Sequence, residues 1–177
     1  MKRIGVFDTE TTGLPLHSKA PLSKQPHIIE FAIAHLCDGV IESTYTTLLK
    51  PPVPITDEIT KITGLTDADV EDAQTFEQAW PMIKKSIESV DILVAHNLPF
   101  DESLLKFEME RAGVELVWPE QLVCTVQLYI DEYGRRVRMQ ELYELKLGKP
   151  LHQTHRALDD VNALCEIFIH EKLWEVL

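Results

Sequence analysis

Asp8 and Glu10 stand one residue apart at the end of an apolar run, in the stretch VFDTETTGL from Val6 to Leu14. In an extended chain, residues i and i+2 point to one face, so these two carboxylates would project together. Held that close they repel, and one is driven to bind a proton unless a cation intervenes. Hard divalent ions, Mg²⁺ or Mn²⁺, are what oxygen ligands of this kind select. The pattern equally suits a turn or helix cap in which the threonines bond local backbone. On DTE alone both readings stand.

Two more acidic positions bear on the choice. Asp101 follows the apolar segment DILVA and falls in the first turn of the next expected helix, where the macrodipole favours an anion. His96-Asn97, directly after DILVA, adds polar groups at the same edge. The third cluster is HRALDD, His155 to Asp160, with two adjacent aspartates. A helix turns roughly 100° per residue, which puts Ala157, Val161, Leu164 and Phe168 on one apolar stripe. Asp160 borders that stripe and Asp159 lies round toward solvent. A buried carboxylate is costly unless paired or bound to metal, so Asp160 is the ligand candidate. His155, just ahead of this helix, is placed to take a proton from water near neutral pH. His17, His27, His35, His152 and His170 have no such company and read as ordinary polar residues.

These positions need a scaffold. Lys2–Phe7 reads as a buried strand, led into by Met1-Lys2-Arg3, and Leu14–Pro26 as a long surface loop. Ile28–Leu36 and Ile41–Leu49 form two strands around the turn signal Asp38-Gly39. Thr56–Ile62 is a short helix ending at Gly64. Thr75-Phe76-Glu77-Gln78 has the form of a capping box opening a helix to about Ser89. Asp91–Ala95 is a buried strand, with a helix from about Phe100 to Ala112 that Gly113 ends. Leu122–Thr125 is a short strand, and Val126–Tyr133, Met139–Leu147 and Ala157–Ile169 are helical. Helices alternating with strands after an initial three-strand run specify a mixed α/β sheet, with residues 1–177 forming one domain.

The 177 residues carry 29 acids against 17 lysines and arginines, a net charge of −12. That argues against a protein coating long stretches of nucleic acid, since such binding rests on many phosphate neutralisations. It permits an enzyme that grips a few nucleotides and borrows positive charge from metal ions. No apolar run reaches membrane-spanning length and no signal peptide is expected. Cys37, Cys124 and Cys165 are widely spaced and suggest neither a disulfide framework nor a zinc site, which fits a reducing, cytoplasmic setting.

Taken together, FDTETTGL, AHNLPFD and HRALDD resemble, in order and at similar separations, the three motifs of the DEDDh family of 3′–5′ exonucleases. The intervening LLKPPVPITDEITKITGLTDADV is similar to the family's connecting segment. The resemblance implies a ribonuclease H-like fold, a mixed five-stranded sheet flanked by helices. It implies two divalent cations, Mg²⁺ or Mn²⁺, held by Asp8, Glu10, Asp101 and Asp160, with His155 as general base. It places the 3′ end against backbone amides of Thr9 to Thr12, with Leu14 on the last base. Thr9, Thr11, Thr12, Leu14, His96, Asn97 and Phe100 thus form the implied substrate-binding set. The implied partners are nucleic-acid 3′ ends, DNA ahead of RNA, together with a polymerase or another replication or repair protein, and no membrane.

Two features depart from the family pattern. Leu16–Pro26 is longer than the tight turn many members have there. Cys124-Thr125 stands where many carry an aspartate before the threonine, a substitution shared by sequences similar to exonuclease X. The competing readings are a processing exoribonuclease using the same site and a non-catalytic nucleic-acid or polymerase-binding module. The first would have to sense the 2′-OH, and the second would be signalled by loss of a metal ligand. All four acids and the histidine are present.

Overall fold

The alternation of Ile4, Val6, Asp8 and Glu10 with Gly5, Phe7, Thr9 and Thr11 decides what each face of the first strand meets. In the computed structural model, which describes residues 2–17 and 19–177, that strand is β1 (Arg3–Thr11). It continues past Phe7, so both acids lie on the strand itself. Met1, expected to lead into it, and Ser18, within the expected loop, lie outside the described residues.

β2 (Ile28–Cys37) and β3 (Val40–Leu48) follow as an antiparallel hairpin. Asp38 and Gly39 form its turn with φ of 48° and 75°, the left-handed pair that a tight two-residue hairpin requires. Next come α1 (Asp57–Thr63), α2 (Asp67–Val70) and α3 (Phe76–Glu88). The capping box at Thr75 and Gln78 is formed, and Gly64 closes α1 in the left-handed conformation. β4 (Ile92–Ala95) leads into α4 (Leu98–Ala112), which starts two residues before Phe100 because Pro99 is well suited to a first helical turn. β5 (Gln121–Cys124), α5 (Thr125–Tyr133), α6 (Met139–Leu147) and α7 (Ala157–His170) complete the order. Thr125, expected at the end of a strand, is instead the first residue of α5.

The sheet order is β3-β2-β1-β4-β5, antiparallel from β3 to β1 and parallel from β1 to β5. Ile4, Val6, Ala34 and Val94 bury one face against α5, α6 and α7. Phe7, Phe31, Ile33 and Leu93 bury the other against α3 and α4. Asp8 and Glu10 therefore emerge on the α7 face, and Thr9 on the α4 face. A register shift between Glu10 and Thr11 breaks the ladder with β2 where β1 leaves the core, a common device beside a functional site.

The long loop is tied down from α4. Arg111 donates to the carbonyls of Leu22, Gln25 and Pro26 at 2.6–3.0 Å. Glu108, buried beside it, accepts from the Ile28 amide and meets His27 Nδ1, both at 3.0 Å. Desolvation would raise the Glu108 pKa, but the His27 and Ile28 hydrogen bonds and the Arg111 charge hold it below its usual value.

The link that sets α7 against the sheet lies on β2. Glu30 is the direct register partner of Glu10, an arrangement of like charges that destabilises a sheet unless it is compensated. Compensation comes from Arg156, whose Nε and Nη2 donate to the two Glu30 carboxylate oxygens at 2.9 and 2.7 Å. The Ala157 amide donates to the same carboxylate at 3.0 Å, satisfying an otherwise orphan donor at the start of α7. One carboxylate thus fixes both the residue before α7 and its first turn.

The two halves of this pair differ in exposure, 4% for the Glu30 side chain and 41% for Arg156. Arg156→Met strands a buried carboxylate and should cost about 2–3 kcal/mol. Glu30→Gln returns a half-exposed guanidinium to water and keeps an acceptor for Ala157, so about 1 kcal/mol is expected. Denaturant midpoints at unchanged m-value measure both. Equal costs would mean that the pair behaves as an ordinary surface bridge.

Candidate active site

The carboxyl end of β1, the His96-Asn97 link between β4 and α4, the turn between α5 and α6 and the entry to α7 converge on one cleft of about 510 Å³. Asp8 and Glu10 reach it from β1, and His155 and Asp160 from the α7 side. Asp160 is buried and Asp159 exposed, the latter accepting from Thr154 Oγ1 at 2.6 Å. Glu10, His155 and Asp160 each offer a ligand atom within 4.8 Å of the others'. Among the described residues, that is the grouping close enough to hold one ion; Asp8 and Asp101 stand outside it.

Asp101 sits one layer behind. Its Oδ1 accepts from the Thr9 amide at 3.1 Å and the Thr9 hydroxyl at 2.8 Å, so β1 holds the α4 acid directly. His155 adopts φ +53°, a left-handed conformation unusual for a residue with a side chain. It lies one residue before Arg156, where the Glu30 link fixes the chain.

The electrostatics follow from crowding. Desolvation, then the charges of Asp101, Glu10, Asp160 and Glu30, raise the Asp8 pKa well above the usual carboxylate range. Glu10 is pushed up to about 8 by desolvation, with Asp160, Glu30 and Asp101 adding to it and Arg156 opposing. Asp101 rises to about 7 through desolvation, against the pull of its Thr9 hydrogen bonds. Asp160 is raised too, again chiefly by desolvation, with Gln153 and His155 opposing. Four oxygen-donor side chains that cannot all ionise beside one another are a fitting donor set for hard divalent cations. The imidazole stands at their rim.

The implied substrate-binding set divides. Thr9, His96 and Asn97 line the cleft. Thr12 and Leu14 line a separate hollow with Gln25, Pro26 and His27. The Leu14 side chain is 77% exposed and free to meet a base. Thr11 is buried and its hydroxyl donates to the Gly13 carbonyl at 2.7 Å. Phe100 packs among the apolar residues between the sheet and α4, away from the cleft. Within the Thr9 to Thr12 stretch expected to hold the 3′ end, the amides at both ends already have partners in the protein. The Thr9 amide donates to Asp101, and the Thr12 amide to the His27 carbonyl at 2.8 Å.

His96 is held within the protein. One ring nitrogen meets Thr125 Oγ1 at 2.9 Å and the other the Val137 carbonyl at 3.1 Å. Desolvation lowers its pKa to about 4, so it is neutral at pH near 7 and Nε2–H donates to Val137. The sequence reading missed Glu30, Arg156, Arg136 and Arg138. Only Arg156 carried a local signal, its place inside HRALDD.

Comparison with known proteins adds the family. Residues 6–168 match the RNase_T family, described as Exonuclease. The chain is 35% identical over 176 residues to DNA polymerase III PolC-type from Caldanaerobacter subterraneus subsp. tengcongensis, covering 97% of the chain and 12% of that protein. The chain thus spans about a tenth of the length of such PolC-type relatives. It is 27% identical to DNA polymerase III subunit epsilon of Aquifex aeolicus, over 96% of the chain and 81% of that protein. Among solved structures, exonuclease X in complex with 5′ overhanging duplex DNA superposes with a TM-score of 0.67 at 26% identity, covering 96% of this chain and 92% of that one. The nuclease domain of 3′hExo, a DEDDh family member bound to rAMP, shares the fold with a TM-score of 0.78 at 19% identity, covering 97% and 92% of the two chains. With its ribonuclease H-like sheet and the acids and histidine of all three motifs in place, the chain belongs to this exonuclease family, as a 3′–5′ exonuclease of DEDDh type.

Proposed function

We propose that the chain works as one exonuclease domain that removes nucleoside 5′-monophosphates from the 3′ end of DNA, at single-stranded or frayed termini. The observation that carries this reading is the meeting of Glu10, Asp160 and His155 within 4.8 Å, with Asp8 and Asp101 beside them at one sheet edge. Asp8, Glu10, Asp101 and Asp160 would hold two Mg²⁺ or Mn²⁺ ions, which supply a polarised phosphodiester and an acidified attacking water when bound. His155 accepts the proton of that water, and its exposed position at the cleft mouth allows the proton to pass on to solvent. Thr9 keeps Asp101 oriented, and the Glu30–Arg156 link keeps Asp160 and His155 facing Glu10.

DNA is favoured because the polymerase III relatives and exonuclease X are described with DNA in their names or complexes. Alignment with a tenth of PolC-type polymerases supports proofreading alongside a polymerase, in the same chain or as a partner. The test is degradation of matched single-stranded DNA, frayed duplex DNA and RNA, each labelled at the 5′ end. A ladder shortening from the 3′ end, fastest on single-stranded or frayed DNA, is expected. Faster loss of RNA would transfer the assignment to an exoribonuclease.

Metal linkage has a definite sign. Carboxyls whose folded pKa is raised bind protons that the unfolded chain has released, so their stability contribution is lost as pH rises. The chelated protein should therefore lose melting temperature between about pH 5 and about pH 8, the window from ordinary carboxylates to the raised Glu10 value. Added Mn²⁺ should raise the melting temperature, and by more at the alkaline end. Thermal shift with and without chelator measures this; a metal increment independent of pH contradicts it.

Variants separate neighbours in the third motif. Asp160→Ala should nearly abolish turnover, whereas Asp159→Ala, losing an exposed charge, should change it little. His155→Ala should lower the single-turnover rate about 10²–10⁴-fold, with the residual rate rising with pH as hydroxide replaces the base. Rate against pH on one 5′-labelled strand reads all three. A dead Asp159→Ala beside a mild Asp160→Ala would reverse the ligand assignment.

A further inference from the structure

Three arginines, Arg135, Arg136 and Arg138, cluster on the turn between α5 and α6 in a chain whose net charge is −12. Arg135 pairs with Glu141. The arginines that form ion pairs among the described residues are Arg111, Arg135 and Arg156, so Arg136 and Arg138 form none. Both are exposed, and both line the cleft that holds Glu10, His155 and Asp160.

Their turn is anchored from the end of β4. Val137, between them, is buried, and its carbonyl accepts from His96 Nε2 at 3.1 Å. Arg136 Nη2 donates to Asn97 Oδ1 at 2.6 Å, and Asn97 is itself held at φ +68° ahead of α4. These contacts fix the turn and hold the Arg136 guanidinium on the cleft wall before any ligand arrives, which reduces the ordering cost of binding, while Arg138 lines the same wall from the fixed turn. Guanidinium groups match phosphate oxygens and stay charged at any working pH. Arg136 and Arg138 line the same cleft as the acids without forming ion pairs to them, which leaves their charge available to a polyanion.

We propose that Arg136 and Arg138 form a phosphodiester-backbone subsite, gripping the strand upstream of the linkage that is cut. The placement upstream rests on the 3′–5′ exonuclease reading; the grip itself does not. Both residues act on binding, through phosphates that stay intact. Asn97 and His96 then serve as the supports of this turn.

The experiment compares the unaltered 177-residue chain with Arg136→Gln, Arg138→Gln and Arg138→Lys. Binding of a 5′-fluorescent oligothymidylate, blocked at its 3′ end by phosphorothioate linkages, is followed by anisotropy across a salt series. Each glutamine variant should weaken binding about tenfold at low salt. Each should also flatten the slope of log affinity against log salt by about 0.7, the single-strand value per phosphate contact. Arg138→Lys should retain the wild-type slope. On an unblocked strand, KM should rise while kcat stays within about twofold. Unchanged slopes in both glutamine variants, or a fall in kcat with KM untouched, overturn the subsite. A wild type that binds with the expected slope changes among the variants but leaves the unblocked strand intact supports the subsite and overturns the exonuclease reading instead.

Discussion

The mutual repulsion of carboxylates at the carboxyl end of β1 is the constraint around which the rest is arranged. Asp8, Glu10, Asp101 and Asp160 crowd together in a desolvated setting, with the Glu30 charge adding to the repulsion on Asp8, Glu10 and Asp160, and these four hold their protons more tightly than in water. Such an assembly opposes folding, because each charge gained costs more inside than outside. The fold contains it in part by tying the acids from α4 and α7 back to the sheet. Asp101 is tied to β1 through Thr9, and Asp160 to β2 through α7 and the Arg156–Glu30 pair. Glu10 receives the lowering influence of Arg156.

Glu30 has two opposite effects. As a register partner of Glu10 it adds negative charge where there is already too much. As the acceptor for Arg156 and the Ala157 amide it sets the angle at which α7 enters. An apolar residue at position 30 would ease the repulsion but leave the start of α7 without its acceptor. A functional site that strains its surroundings and depends on compensation a few residues away is the expected pattern.

Legibility in the sequence followed the range of the interaction. The period-2 alternation of β1 and the stripe Ala157, Val161, Leu164, Phe168 are local, and so was the choice of Asp160 as the buried aspartate of its pair. The capping box at Thr75 and the Asp38-Gly39 turn are local as well. The Glu30–Arg156 contact spans 126 positions and depends on the β1–β2 register, which no local pattern encodes. The Thr9 and Thr12 amides read as free donors in sequence; pairing with Asp101 and His27 takes them up. Phe100 belonged to the substrate-binding set implied by the resemblance, whereas its half-buried ring packs against the apolar cluster between the sheet and α4, a tertiary contact that no local pattern encodes.

The distribution of charge reconciles an acidic chain with a polyanionic substrate. Acids occupy the centre of the cleft, where divalent cations rather than side chains can answer a phosphate. Arg136 and Arg138 stand on its wall; Arg136 is tied to the neutral Asn97, and among the described residues neither forms an ion pair with the acids nearby. On the proposed reading, a strand would be held by a few contacts near its reacting end, since the chain as a whole carries a net charge of −12. That arrangement favours release after short engagement over tracking along a strand. Long occupancy of a terminus would have to come from whatever else holds the domain near it.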